Sequence, residues 1–394
     1  MVTALSPTPT TPKSTSTALS DKSTALSGES TALSGESTAQ DGESTAVSGE
    51  PTALSREQTA LSQEIALSQE TAPSEQTAPG QGAAPGEAPA SAGPARFIEC
   101  CNIYRRRLDA IHLIKQINQL VKVVQKHRGL TMAVLAGDNL FEHERDSLQC
   151  QVDRRIAILE AFAAQSRDLL VPKERARIHN AWSTLKTDWQ DDDVIDNFEL
   201  HCHFVDQLLN LMTQLAKQLE RPISDYLAGM TGAPGGGAGR VNNHLAFRQL
   251  GLLVFVCKQM PDMVELVAKI RGLATHAIVS GACDYLNDRK LRYLLQCTKA
   301  QNEKLRVQMG RMSESIKAHI ASLPMIKTYD LKLMFLLNSV EQDVLGGGRI
   351  STDRRQLFEL ATQIINVYVD VIAEGLELLQ LWQEHQLEDW LVAG

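Results

Sequence analysis

Two arginines on otherwise apolar helical seams, each followed by glycine and leucine, constrain the fold more than any other feature. The first context reads Leu120-Val-Lys-Val-Val-Gln-Lys-His-Arg-Gly-Leu-Thr-Met-Ala-Val-Leu-Ala-Gly137. The second reads Val264-Glu-Leu-Val-Ala-Lys-Ile-Arg-Gly-Leu-Ala-Thr-His-Ala-Ile-Val-Ser-Gly281. In the first, Ile114, Ile117, Val121, Val124, Arg128, Thr131 and Leu135 recur in three- and four-residue steps. In the second, the same periodicity links Val264, Val267, Arg271, Ala274 and Ile278. Each arginine therefore takes a position that helical periodicity assigns to the core. A guanidinium there needs a negative partner, because an unpaired buried charge is heavily penalised.

Neither helix supplies that partner. Val124, Gln125, Thr131 and Met132 lie three and four residues either side of Arg128; Val267, Ala268, Ala274 and Thr275 do so around Arg271. None is a carboxylate, so a pairing along the same helix is excluded. The counter-charge comes from another helix, as an interhelical Arg–Glu bridge, or from outside the protein. A small planar oxyanion suits the second case, since the guanidinium fork binds such anions bidentately. The glycine after each arginine leaves room for a ligand or a neighbouring helix to approach.

Residues 1–95 are of a different character. They are rich in Ser, Thr, Ala, Gly, Glu, Gln and Pro, with no aromatic residue before Phe97. Thr-Ala recurs every seven residues from Thr17 to Thr59. The period suggests a coiled coil, but Ala18 and Leu19 are adjacent, and Gly28, Gly35 and Gly49 interrupt any helix. Such a composition cannot bury enough apolar surface to offset chain entropy, so a disordered tail is expected. It lacks the continuous apolar stretch of a secretory signal. The tail holds 3 basic and 11 acidic residues, which equals the whole-chain net charge of −8, so the remainder is neutral. A neutral folded part argues against direct nucleic-acid binding. Arg105-Arg-Arg107 reads as a solvated helix face.

Residues 96–394 are read as the folded region. Helices are expected over 102–136, 140–170, 173–189, 194–219, 241–259, 262–280, 284–321, 327–345 and 353–385. Pro172 and Pro261 are suited to first turns, Asp191-Asp-Asp193 to an N-cap, and glycines such as Gly137 and Gly281 to helix ends. No alternating stretch argues for a sheet. Gly232-Ala-Pro-Gly-Gly-Gly-Ala-Gly239 is read as a joint, because it lacks the Gly-Lys-Ser/Thr and preceding strand of a phosphate loop. The fold expected is all-α: two tandem bundles of about four helices, one near 100–225 and one near 241–390.

The duplication extends past the arginines. Asn197-Phe-Glu-Leu-His-Cys-His-Phe-Val-Asp-Gln-Leu-Leu closes the first half, and Leu357-Phe-Glu-Leu-Ala-Thr-Gln-Ile-Ile-Asn-Val-Tyr-Val closes the second. Each half starts with an arginine helix and ends with a Phe-Glu-Leu amphipathic helix. On these motifs, and above all Arg-Gly-Leu-Thr/Ala at 128–131 and 271–274, the chain resembles the nitrate- and nitrite-sensing (NIT) domain family over roughly residues 100–390. The resemblance implies two four-helix bundles with nitrate or nitrite held between helices by arginines, here Arg128 and Arg271. Where the family motif can carry a second basic residue, this sequence has His127, which can donate a hydrogen bond without guaranteeing a charge. The resemblance also implies a further arginine from the second bundle, with Arg354 and Arg355 the candidates ahead of Phe358.

Other chemistry is weakly represented. Cys100, Cys101, Cys150, Cys202, Cys257, Cys283 and Cys297 contain no Cys-x-x-Cys, and are expected to be reduced, mostly buried thiols of a cytoplasmic protein. His201-Cys-His203 mimics a metal motif, but residues two apart on a helix face different ways. No Glu-x-x-His is present for a di-iron bundle. The apolar run from Leu250 to Cys257 is too short to span a bilayer.

The resulting expectation is a non-enzymatic sensor of nitrate or nitrite, without cofactor, metal or membrane attachment. In it, Arg128 and Arg271 repel until an anion draws their helices together. No output segment follows the last helix before Gly394, so an unidentified protein partner is expected, and a homodimer is left open. The alternative is a helical interaction scaffold with both arginines in interhelical salt bridges. An enzyme on a helical bundle is the third option.

Overall fold

The structure, a computed structural model, describes residues 92–166, 169–221 and 248–393. The heptapeptide repeats and the glycine-rich joint at 232–239 lie outside these residues. No strand occurs among the described residues, as the periodicity requires. Helices α1 (Ala92–Leu135), α2 (Glu142–Gln165), α3 (Pro172–Lys186) and α4 (Val194–Ala216) make the first bundle. The second holds α5 (Met260–Ser280), α6 (Tyr285–Arg311), α7 (Glu314–His319), α8 (Leu323–Ser339) and α9 (Arg354–Ala393). Helix α1 packs on α2 and α4, and α5 on α6 and α9. The bundles meet where α1 crosses α5 and α9, and one continuous apolar core runs through both.

Local signals explain most boundaries. Asp193 caps α4, accepting from the backbone N–H of Ile195 at 2.8 Å and Asp196 at 3.3 Å. Asp284 caps α6 in the same way. Gly281 ends α5 at φ +70°, a left-handed conformation that suits glycine. Three expectations need correction. Residues 92–95, assigned to the tail, form the start of α1. Pro261 does not open a separate helix: residues 248–254 run through a π turn, Phe255–Gln259, straight into α5. The wider turn, closed by the Met260 N–H on the Phe255 carbonyl, eases the clash between the proline ring and the preceding helical turn. The helix expected over 284–321 breaks at Met312, whose backbone is extended, and resumes as the short α7.

Both seams are buried as far as Thr131 and Ala274; only their ends, Leu135 and Ile278, are half-exposed. The two Arg-Gly-Leu stretches lie against one another at the α1–α5 crossing. A Cβ built on Gly272 would lie 3.9 Å from Gly129 Cα and 3.0 Å from Met132 Sδ. A Cβ on Gly129 would lie 2.9 Å from the Phe358 ring of α9. The absence of side chains thus sets how closely α1, α5 and α9 approach.

Gly129→Ala forces a stiff aromatic ring aside, at a typical overpacking cost of about 1–3 kcal/mol. That outweighs the roughly 0.5–1 kcal/mol that alanine contributes inside a helix. Gly272→Ala meets only the flexible end of Met132, so the two effects nearly cancel. Thermal melts are therefore expected to show a lower Tm for Gly129→Ala and little change for Gly272→Ala. Equal losses would contradict this account of the crossing.

Candidate functional site

Arg128 is fully buried on α1, and its counter-charge is Glu265 of α5. The guanidinium grips both carboxylate oxygens, Nη1 to Oε1 at 2.6 Å and Nη2 to Oε2 at 3.1 Å. Gln125 Nε2 donates to Oε2 at 2.8 Å, and Lys269 Nζ lies 3.4 Å from Oε1. Burial pushes the Glu265 carboxyl up, but Arg128, Lys269 and the Gln125 hydrogen bond outweigh it and hold it below the usual carboxylate range. Burial opposes the charge on Arg128 too, and Glu265 overcomes it and raises the guanidinium above its ordinary value. The interhelical bridge weighed in the sequence is thus realised at the first arginine.

It is not realised at the second. Arg271 is equally buried, yet its hydrogen-bond partners are neutral: Thr362 Oγ1 at 2.9 Å and the Gln125 carbonyl at 2.8 Å. Its Nε is buried without a hydrogen-bond partner. Burial first, and Arg128 second, push its pKa down to about 9. Arginine still remains protonated at neutral pH, so the shift reports an under-compensated buried cation. Of the three cations gathered here, Arg128 and Lys269 contact Glu265, Lys269 also lies 3.8 Å from Asp206 Oδ1, and Arg271 contacts no carboxylate.

The duplication read in the sequence becomes a geometric one. Phe198 and Phe358, the aromatic residues of the two Phe-Glu-Leu helices, lie against Arg128 and Arg271, with ring centroids 5.3 and 4.6 Å from the guanidinium carbons. Four residues after each phenylalanine comes a small acceptor. Cys202 Sγ accepts from Arg128 at 3.2 Å, and Thr362 Oγ1 is its counterpart at Arg271. Glu265 has no such counterpart: six residues before Arg271 the chain has Glu265, and six before Arg128 it has Lys122.

The remaining residues singled out in the sequence do not join this cluster through any recorded contact. His127 is buried in the first bundle against Trp182, its rings 5.2 Å apart. Its Nδ1 is 3.0 Å from His201 Nε2, and its Nε2 is 3.4 Å from Arg145 Nη1. His201 Nδ1 is 2.9 Å from the Asn197 carbonyl and must donate to it, which leaves Nε2 to accept from His127. Both rings are therefore neutral in this network. Burial, followed for His127 by His201 and Arg145, holds its pKa well below the ordinary histidine value. His201 falls to about 3, chiefly by burial and the charges of Arg128 and Arg145, against the opposing Asn197 bond and Glu265. Arg354 pairs with Asp138 in the loop after α1, and Arg355 is exposed.

Glu265, Gln125, Lys269, Phe198, Cys202, Phe358 and Thr362 were missed as site residues. The repeated Phe-Glu-Leu motif marks both phenylalanines, and the signal that could have found Glu265 is a carboxylate inside an apolar run. Nothing in sequence spacing identifies a partner reaching in from another helix. Arg107, read as solvated, is buried and donates to the carbonyls of Leu219 and Arg221, closing the end of the first bundle. His201 is buried and His203 exposed, as two-residue helical spacing requires. Three of the seven cysteines, Cys100, Cys202 and Cys257, are buried, while Cys150 is exposed, fewer buried thiols than expected.

Removing Arg128 takes the bidentate partner from buried Glu265 and leaves it Lys269 and Gln125, so the loss should fall below the roughly 3–5 kcal/mol typical of a fully broken buried pair. Arg128→Met with Glu265→Leu is expected to lose less stability than Arg128→Met alone, as read by denaturant unfolding. Additive losses would mean the two side chains are not coupled. The two histidines give a pH signature. Their folded-state pKa values lie below the unfolded value, so the stability they confer is complete above about pH 6.5 and declines as pH falls. From pH 7 to 5, His201 alone accounts for a loss of about 2 kcal/mol. Tm should drop over that interval, and a Tm independent of pH there would contradict the neutral histidine pair.

A scan against family models returns no match, and no curated protein is matched. Among solved structures, the chain is similar to one described as the NasR transcription antiterminator. The TM-score is 0.53 and the identity 17%, over 75% of this chain and 74% of that one. At that identity the likeness is one of fold.

Proposed function

We propose that this chain is a non-enzymatic, anion-responsive regulator whose ligand is nitrate or nitrite, taken up beside Arg271 where α1, α5 and α9 cross. The observation that carries this reading is the Arg271 guanidinium, buried among neutral partners with one N–H unsatisfied. A small planar oxyanion would supply the missing charge and accept from the guanidinium fork. Further support comes from the resemblance of both Arg-Gly-Leu contexts to the nitrate- and nitrite-sensing domain and from the fold shared with a transcription antiterminator.

The mechanism expected from sequence, two repelling arginines drawn together by ligand, needs revision. Arg128 is already neutralised by Glu265, and the glycines already bring α1 and α5 together. In the revised reading the anion exchanges for one of Arg271's neutral contacts, Thr362 on α9 or the Gln125 carbonyl on α1. Ligand binding then alters the α1–α5–α9 crossing, and the altered pose is passed to a protein partner. The bidentate Arg128–Glu265 bridge favours a second reading, a helical interaction scaffold without ligand. No helix among the described residues is long and apolar enough to cross a membrane.

The two readings separate in a thermal melt of the full chain with nitrate, nitrite, chloride or sulfate at constant ionic strength. A saturable rise in Tm with nitrate or nitrite alone is expected, corresponding to about 2.7 kcal/mol at a hundredfold excess over Kd. Arg271→Ala should abolish the response and keep the helical circular-dichroism signal. A flat response to every anion supports the scaffold.

A further inference from the structure

The carboxylate of Glu265 sits in a receptor of the kind a free planar anion requires. Both oxygens face the Arg128 fork, Gln125 Nε2 adds a third donor, and Lys269 adds a second positive charge. Four donor contacts from three residues converge on one buried two-oxygen group. Arg271, with the same glycine, phenylalanine and small acceptor around it, has no acid of its own. The two halves therefore offer two similar arginine environments, one filled by a side chain of the protein and one not.

We propose that Glu265 is a tethered anion that keeps Arg128 unavailable to external ligands, and that removing its carboxylate opens a second site, for small planar monoanions such as formate, nitrite or nitrate. Glu265 is then the residue that limits the protein to a single external anion. Its tether makes the competition strong, because an intramolecular carboxylate faces Arg128 at a high effective concentration that free anions must exceed. Lys269 is shared with Asp206 at 3.8 Å, so of these three cations Arg271 alone contacts no carboxylate, which leaves the wild-type protein room for one further negative charge. The statement about Arg128 stands on the bridge geometry alone; the limit of one anion rests on the reading of Arg271 given above.

The test is chemical rescue of Glu265→Ala in the full chain. The variant should melt below wild type, because Arg128 is left buried without its partner. Sodium formate should raise its Tm saturably by about 5 °C or more over sodium chloride at equal ionic strength, and leave wild type unmoved. Adding Arg128→Ala to the variant should erase the formate effect. If Glu265→Ala does not fold unaided, its refolding yield in formate against chloride gives the same comparison. Glu265→Asp, whose carboxylate is one methylene short, should show a smaller rescue.

Formate acting no better than chloride on Glu265→Ala, in both melting and refolding, overturns the proposal. The same series separates this inference from the assigned function. Formate rescue of Glu265→Ala with a wild-type chain indifferent to nitrate and nitrite sustains the tethered anion and removes the sensor reading. A nitrate response lost in Arg271→Ala without formate rescue of Glu265→Ala does the reverse.

Discussion

A guanidinium withdrawn from water must be met by an acceptor of matching shape, and in this protein that requirement falls where α1 of the first bundle packs on α5 of the second. Arg128 on α1 and Glu265 on α5 meet it with two parallel hydrogen bonds. Such a bridge adds little net stability, because desolvation of both ions offsets their attraction. What it does impose is register. An Arg128 displaced along α1 by one turn would stay buried without its carboxylate, so the bridge favours one register of the α1–α5 crossing. Gly129 and Gly272 make that position reachable by letting the backbones approach.

The second arginine turns a structural crossing into a candidate site. Arg271 repeats the surroundings of Arg128, with a phenylalanine on one side and a small acceptor four residues further along the same helix. It does not repeat the acid. Gln125 ties the two centres together, donating its amide to Glu265 while its carbonyl accepts from Arg271. A change in the contacts of Arg271 therefore reaches the Arg128–Glu265 bridge through one residue on α1. The coupling is short, made of hydrogen bonds, and lies where three long helices cross. That is a suitable place for a small ligand to bias the arrangement of the halves.

The first bundle holds a second buried polar network of opposite electrostatic character. His127 and His201 hydrogen-bond each other as neutral rings, and Arg145, stacked 3.9 Å over Trp189, donates to the outer ring. Protonating either ring would place another cation between Arg128 and Arg145, so the network is stable only while both stay neutral. His127, adjacent to Arg128 in sequence, points into this network because neighbouring helical residues face about 100° apart. Sequence adjacency placed it beside the arginine, whereas helix geometry put it in a different site.

Helix type, most boundaries, the two seams and the duplicated arrangement of arginine and phenylalanine were legible in the chain, because they depend on periodicity and capping within a few residues. So was the demand that Arg128 and Arg271 find partners off their own helices. The identity of those partners was not. Glu265 lies far from Arg128 in sequence, and no local rule links them; only the packing of α5 across α1 brings the carboxylate within 2.6 Å. The fusion of two bundles into one core, the π turn that absorbs Pro261 and the burial of Arg107 likewise depend on contacts between distant segments. Sequence by itself determined that two buried cations must be answered. Tertiary structure decided that one is answered by the protein and that the other is met only by neutral groups, because the geometry of helix crossings decides which distant side chains share a buried space.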